Sequence, residues 1–233
     1  MSTAVLHYIY DPLCGWCYAA APLVRAARDV LPVVPHGGGM MSGARRQAVT
    51  PQLRDYVMPH DRRIAQLSGQ PFGDAYFEGL LRDGTAVFDS LPPTAAMLAA
   101  EEAAGRGLDM LARLQTAHYV EGRRIADRAV LIELAAGLGL DEAAYTAALD
   151  EALGEPVQSH IAATRELMGR VGAMGFPTLL LQTAGETTTV DIGNWLGKPD
   201  AFVQWLRQQV PATGGGSDAG PAGFQCGPDG CAI

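Results

Sequence analysis

The sequence predicts an α/β fold interrupted by a block of helices, on three observations. Residues 4–10 are β-branched and aromatic, and they lead through a helical stretch to a second short apolar run, a strand, helix, strand unit. From about residue 51 to 170 apolar residues recur at helical spacing, with few strand candidates. Strand character then returns at Thr178-Leu179-Leu180-Leu181-Gln182 and at Thr187-Thr188-Thr189-Val190-Asp191-Ile192.

The first strand ends at the turn signal Asp11-Pro12. A helix is expected from about Gly15 to Val30, and a second strand at Val33-Val34 closes at Gly37-Gly38-Gly39. A right-handed crossover makes these strands parallel and puts Cys14 where the first strand feeds the helix N-terminus. In the block, helices are expected near 52–67, 73–82, 94–105, 108–123, 127–138, 142–152 and 157–172, with glycine-bearing stops such as Gly105-Arg106-Gly107 between them. Ala184-Gly185-Glu186 suits a hairpin between the last two strands, and a final helix near 199–210 stops at Pro211. These elements divide the chain into the first part of an α/β domain (1–45), an inserted all-helical domain (46–170), the second part of the α/β domain (171–211) and a flexible Gly-rich tail (212–233).

A chain of 233 residues can bury a full core without metals or structural disulfides. Its 48% hydrophobic and 18% charged residues place it among globular proteins. A net charge of -8, with Lys198 the single lysine, argues against a nucleic-acid partner and a polybasic membrane anchor. Read from Met1, no leader precedes the first cysteines, so a cytoplasmic location is expected. No segment offers the roughly eighteen uninterrupted apolar residues of a membrane helix; residues 128–140 come closest and are broken by Glu133, Gly137 and Gly139.

The four cysteines form two close pairs, Cys14 with Cys17 and Cys226 with Cys231. In a reducing compartment such pairs point to redox chemistry or to zinc. Disulfide exchange needs one thiolate that attacks and a second thiol near enough to resolve the mixed disulfide. A thiol at a helix N-terminus gains thiolate character from unpaired N–H groups and the helix dipole, which makes Cys14 the nucleophile and Cys17 the resolver. C-x-x-C in a βαβ setting is the pattern of thioredoxin-like redox sites, so the fold expected is thioredoxin-like with an inserted all-helical domain. Gly175-Phe176-Pro177-Thr178 enters a strand after a long helix; a cis bond before Pro177 would expose the Phe176 backbone to an extended substrate. His7, His36, His60, His118 and His160 show no ligand spacing, so neither a metal nor a cofactor is expected.

The segment Asp11-Pro12-Leu13-Cys14-Gly15-Trp16-Cys17-Tyr18 resembles the active-site segment of the DsbA family, in particular its FrnE-like, often cytosolic branch. Pro22 resembles the proline that kinks the active-site helix of the superfamily, Gly175-Phe176-Pro177-Thr178 matches the cis-proline loop, and the helical block matches the inserted domain. The resemblance covers about residues 4–210. It implies a thiol-disulfide oxidoreductase acting on disulfide-containing proteins or peptides, with Trp16, Phe176, Pro177 and Thr178 against the substrate and glutathione as a further thiol partner. Two departures bear on direction: Gly15 stands where relatives often have proline, and no histidine lies between the cysteines, so Cys14 should be less acidic than in strongly oxidising relatives.

Two other readings stay open. A glutathione-linked transferase, or an isomerase of the 2-hydroxychromene-2-carboxylate type, shares the family fold, and a zinc-binding or redox-sensing protein would use all four cysteines. Cys226-Gly227-Pro228-Asp229-Gly230-Cys231 suits a type I turn between paired cysteines, and is expected to act as an accessory dithiol exchanging with Cys14 and Cys17. Residues 36–43 read as a flexible turn, Trp16, Tyr18 and Phe176 as an aromatic surface for substrates, Trp195 and Trp205 as core, and Arg62-Arg63 and Arg123-Arg124 as solvated helix faces.

Overall fold

A computed structural model describes residues 4–184 and 186–210. Strand β1 (Val5–Tyr10) lies at the centre of a four-stranded mixed sheet, with β2 (Val33–Gly37) parallel on one side and β5 (Thr178–Thr183) antiparallel on the other. Strand β6 (Glu186–Val190) completes the order β2-β1-β5-β6 as the hairpin partner of β5. Helix α1 (Gly15–Ala27) makes the crossover from β1 to β2 and has Pro22 within it. It stops three residues short of Val30, where Val30 and Leu31 turn back to bond Ala27 O.

Strand alternation sorts the sheet into two faces. Leu6, Tyr8 and Tyr10 of β1 join Leu179 and Leu181 of β5 in a core with Leu23 of α1 and Phe202 and Leu206 of α8 (Pro199–Gln209). Trp195 and Trp205 pack on its rim, half-buried. On the other face Ile9 and Leu180 meet Met168.

The chain between β2 and β5 is mostly helical. It comprises α2 (Pro51–Ser68), α3 (Leu91–Ala104), α4 (Gly107–Tyr119), α5 (Arg128–Gly137), α6 (Glu142–Ala152) and α7 (Glu155–Val171), the last supplying Met168. Their ends follow local chemistry. Thr50 caps α2 by accepting from Leu53 N (3.1 Å) ahead of Pro51, Asp141 accepts from Ala144 N (2.8 Å), and Gly69, Gly105 and Gly172 end α2, α3 and α7 at positive φ. A separate apolar core joins these helices through Tyr76, Leu114, Tyr119, Tyr145, Leu149 and Val157. Tyr18 of α1 also belongs to it.

Three expectations are corrected. Residues 73–82 form a π turn (Ala75–Gly79) and a 3-10 turn (Leu80–Arg82) in place of a regular helix, and the segment packs tightly on the 120–122 stretch, where a Cβ on Gly73 or Gly122 would clash with the backbone of Val120 or Ala75. Helix α4, expected over 108–123, ends at Tyr119, so Arg123 and Arg124 lie beyond it and pair with Glu133 and Asp83. Two short strands, β3 (Gln47–Ala48) and β4 (Val87–Phe88), pair antiparallel beside the helices, too short to show a period.

Candidate active site

Cys14 is the N-cap of α1. Its backbone is extended (φ -96°, ψ 114°) while its carbonyl already accepts from Tyr18 N at 3.1 Å, so the thiol stands where the first helical N–H groups are unpaired. No residue of that first turn is itself acidic. Cys14 retains 6% exposure and Cys17 none. Burial above all, then the contact with the Cys14 thiol, pushes the Cys17 thiol well above its ordinary range. Asp11 N lies 3.4 Å from Cys17 Sγ, and Tyr8 Oη donates to the Cys17 carbonyl at 3.0 Å.

The proline loop closes on this thiol. Cys14 Sγ is 3.5 Å from the Phe176 carbonyl oxygen, and the Phe176–Pro177 bond is cis. Thr178 Oγ1 donates to Gly175 O (2.9 Å), tying the loop to the start of β5, where Thr178 pairs with Ile9 of β1. Since β1 also leads to Cys14, neighbouring strands hold both halves of the site. The core of the segment 36–43 is packed, contrary to the flexible turn expected of it, and Gly43 alone lies open at its end. Gly37, Gly38 and Gly39 are buried, and a Cβ on Gly38 would lie 2.2 Å from the Phe176 ring, so only glycine lets the ring sit there.

Two buried carboxyls flank the pair, and neither was assigned from the sequence. Asp11 accepts from Leu13 N (2.9 Å), Met40 N (2.5 Å) and Ser90 Oγ (2.9 Å). Burial raises its pKa, against the pull of these bonds and of the Arg165 charge. Asp61, on α2, accepts from Tyr76 Oη at 2.7 Å, and burial lifts its pKa to about 6. Its Oδ1 would lie 2.6 Å from a Cβ on Gly15. A glycine between the cysteines therefore makes room for this carboxylate, which accounts for one of the departures noted in the sequence. The Asp11-Pro12 turn marked the first aspartate only as a chain reversal. Asp61 carries no sequence signal, since its importance comes from α2 packing over the start of α1.

A cavity of about 620 Å³ opens beside Cys14 between α1 and α2, walled by Trp16, Met40, Arg45, Tyr56, His60 and Asp61. The structure thus brings together Cys14, Cys17, Trp16, Phe176, Pro177 and Thr178. Tyr18 is buried and stacked on Tyr119 (ring centroids 4.9 Å apart), so it offers no aromatic surface to a substrate. Cys226 and Cys231 lie outside the described residues. The histidines separate into distinct settings: His118 is buried, its pKa lowered by desolvation to about 3, while His7 and His36 meet at 3.0 Å on the sheet. Among the described residues no group of three or more His, Cys, Asp or Glu side chains could hold a metal ion, and no helix is long and apolar enough to cross a membrane.

A family model of the DSBA-like thioredoxin domain matches residues 5–200. The chain belongs to the DSBA-like thioredoxin domain family. Among solved structures, the cytosolic disulfide reductase DsbM from Pseudomonas aeruginosa is 58% identical, with a TM-score of 0.83 over 88% of this chain and 98% of that one. The same reductase solved with GSH is 57% identical, with the same TM-score and coverage. A candidate protein disulfide isomerase from Nitrosomonas europaea is 25% identical, with a TM-score of 0.71 over 88% of this chain and 98% of that chain. No curated protein sequence matches. This DSBA-like protein is a thiol-disulfide oxidoreductase, and its substrates carry thiols or disulfides.

Proposed function

We propose that the protein is a cytoplasmic disulfide reductase in which Cys14 attacks, Cys17 resolves and glutathione returns the pair to the dithiol. The observation that carries this reading is the placement of Cys14. It caps an open helix N-terminus, touches the backbone oxygen before Pro177 and faces the large cavity, while Cys17 lies behind it, fully buried.

In the forward step the Cys14 thiolate attacks one sulfur of a substrate disulfide, forming a mixed disulfide and releasing the other sulfur as a thiolate that takes a proton. The Cys17 thiol then loses its proton and attacks Cys14 Sγ, freeing the second substrate thiol and leaving the Cys14–Cys17 disulfide. Two electrons have moved to the substrate. Two glutathione thiols restore the dithiol and leave as glutathione disulfide, again through a mixed disulfide at Cys14. Burial raises the Cys17 thiol's pKa, which leaves the first attack to Cys14.

Trp16 and Phe176 flank the entering sulfur, and the Phe176 carbonyl with Pro177 and Thr178 offers extended backbone for a peptide to pair with. A cavity of about 620 Å³ falls in the range that encloses a small molecule, as a tripeptide thiol requires. The location and the use of glutathione are supported by the similarity to a cytosolic reductase solved with GSH.

Equilibration with glutathione redox buffers tests the direction. The account expects a Cys14–Cys17 potential between about -200 and -270 mV, the range of glutaredoxins and thioredoxin. A value near about -120 mV, that of a strong oxidant, would overturn the reductase reading.

A further inference from the structure

Arg45 and Arg165 come from distant parts of the chain and converge on one oxygen. Arg45 Nη2 and Arg165 Nη2 each lie 3.1 Å from the Gly39 carbonyl. The two nitrogens are therefore within about 6 Å of each other, a separation at which like charges repel. Neither guanidinium has a carboxylate partner among the described residues, whereas Arg46 beside them pairs with Asp89 at 3.1 Å. Arg165 Nε is buried with no hydrogen-bond partner. In a chain of net charge -8, two unpaired guanidiniums sharing one neutral acceptor are an uncompensated positive spot.

The spot adjoins the chemistry on both sides. Arg45 lines the cavity that holds Cys14. Arg165 stacks on the Phe176 ring, its Cζ 5.2 Å from the centroid, and the Phe176 carbonyl is the oxygen that Cys14 Sγ touches. Asp11 acts on Arg165 through space only, its oxygens being taken by Leu13 N, Met40 N and Ser90 Oγ. Asp61 and His60 line the same cavity as Arg45, on α2.

We propose that Arg45 and Arg165 form a carboxylate-binding pair, which gives the thiol site a preference for small disulfides and thiols that carry a carboxylate close to the sulfur. Arginine suits this task because its planar fork offers two parallel donors to a carboxylate. Glutathione carries a carboxylate on each residue flanking its cysteine. The inference rests on the proposed thiol exchange at Cys14 and adds to it which substrates that exchange favours.

The test is single-turnover oxidation of the reduced full chain, followed by free-thiol titration, with glutathione disulfide and with uncharged hydroxyethyl disulfide. The reading is the ratio of the two second-order rate constants. Arg45→Gln, at an exposed side chain, and Arg165→Gln should each lower that ratio about fivefold, the size expected of one partly solvated charge-assisted contact. High salt should lower the ratio in the natural protein and not in the double variant, because screening acts on the charge pairing alone. A ratio unchanged in Arg45→Gln and insensitive to salt would overturn the carboxylate site while leaving thiol exchange standing. Failure of the natural protein to react with either disulfide would overturn both. Arg45→Gln keeps the proposal falsifiable if Arg165→Gln fails to fold through loss of its stacking on Phe176.

Discussion

Replacing Asp61 by Asn should make the protein more stable at neutral pH. The amide keeps an oxygen for the Tyr76 hydroxyl, now 2.7 Å from Asp61 Oδ2, and removes the charge. Burial is the main reason the carboxyl pKa rises from 3.8 to about 6; the Tyr76 bond and the charge of His60 pull it back only in part. Below pH 4 both folded and unfolded chains hold the proton and Asp61 is neutral in each. Between about 4 and 6 the unfolded chain has released the proton and the folded chain keeps it, so stability falls as pH rises. Above 6 the full cost of a buried charge is present. A shift of about two units corresponds to about 3 kcal/mol. Urea unfolding of both proteins at pH 4 and pH 8 measures it: the gain from Asp61→Asn should be near zero at pH 4 and reach about 3 kcal/mol at pH 8. His36 and His118, lowered to about 4 and about 3, titrate in the opposite sense but are common to both proteins and cancel in the difference. A gain of equal size at both pH values, or a loss at pH 8, would refute the burial argument.

Two further outcomes follow from the packing and a third from the sequence. Gly15→Ala should destabilise despite alanine's better helix propensity, by about 1–3 kcal/mol, because the new Cβ would meet Asp61 Oδ1 at 2.6 Å and Ile64 Cδ1 at 2.9 Å; thermal unfolding should show Asp61→Ala recovering part of the loss in the double variant. Gly38→Ala should displace the Phe176 ring, 2.2 Å from the added carbon, and lower kcat/KM for disulfide reduction by about tenfold, consistent with a small misplacement of a positioning group. Replacing Cys226 and Cys231 by serine should slow turnover of protein disulfides, as the accessory dithiol expected from the sequence requires; equal turnover with and without the pair removes that role.

Much of the frame was legible because it is local. The β-branched and aromatic run at 5–10, the cysteine at the turn before a helix and the proline opening the 178–183 strand each announce themselves within a few residues, and together they give the parallel β1–β2 pair and the meeting of Cys14 with the Phe176 carbonyl. What could not be read depends on contacts across long separations. Asp61 reaches Gly15 because α2 packs on α1, and Arg165 reaches Phe176 and Gly39 because α7 packs along the sheet. Tyr18, two residues beyond Trp16 in the first part of the chain, points into the helical core and stacks on Tyr119, a direction set by the helix turn and by a partner that the sequence does not name. The glycines at 37–39 read as a loop because glycine signals flexibility as readily as close packing, and only their distant neighbours, Thr94 at Gly37, the Phe176 ring at Gly38 and Ile161 at Gly39, distinguish the two.

The central claim is that Cys14 attacks and Cys17 resolves, and trapping of the mixed disulfide tests it most directly. Reduced Cys17→Ser and Cys14→Ser proteins, each with the tail cysteines also replaced by serine, are exposed to glutathione disulfide, quenched in acid and weighed intact. The account predicts one glutathione on Cys14 in the Cys17→Ser protein, accumulating quickly because nothing resolves it, and no adduct over the same interval in Cys14→Ser, whose remaining thiol is buried and held protonated. Capture of glutathione by Cys17 at a comparable rate would contradict it.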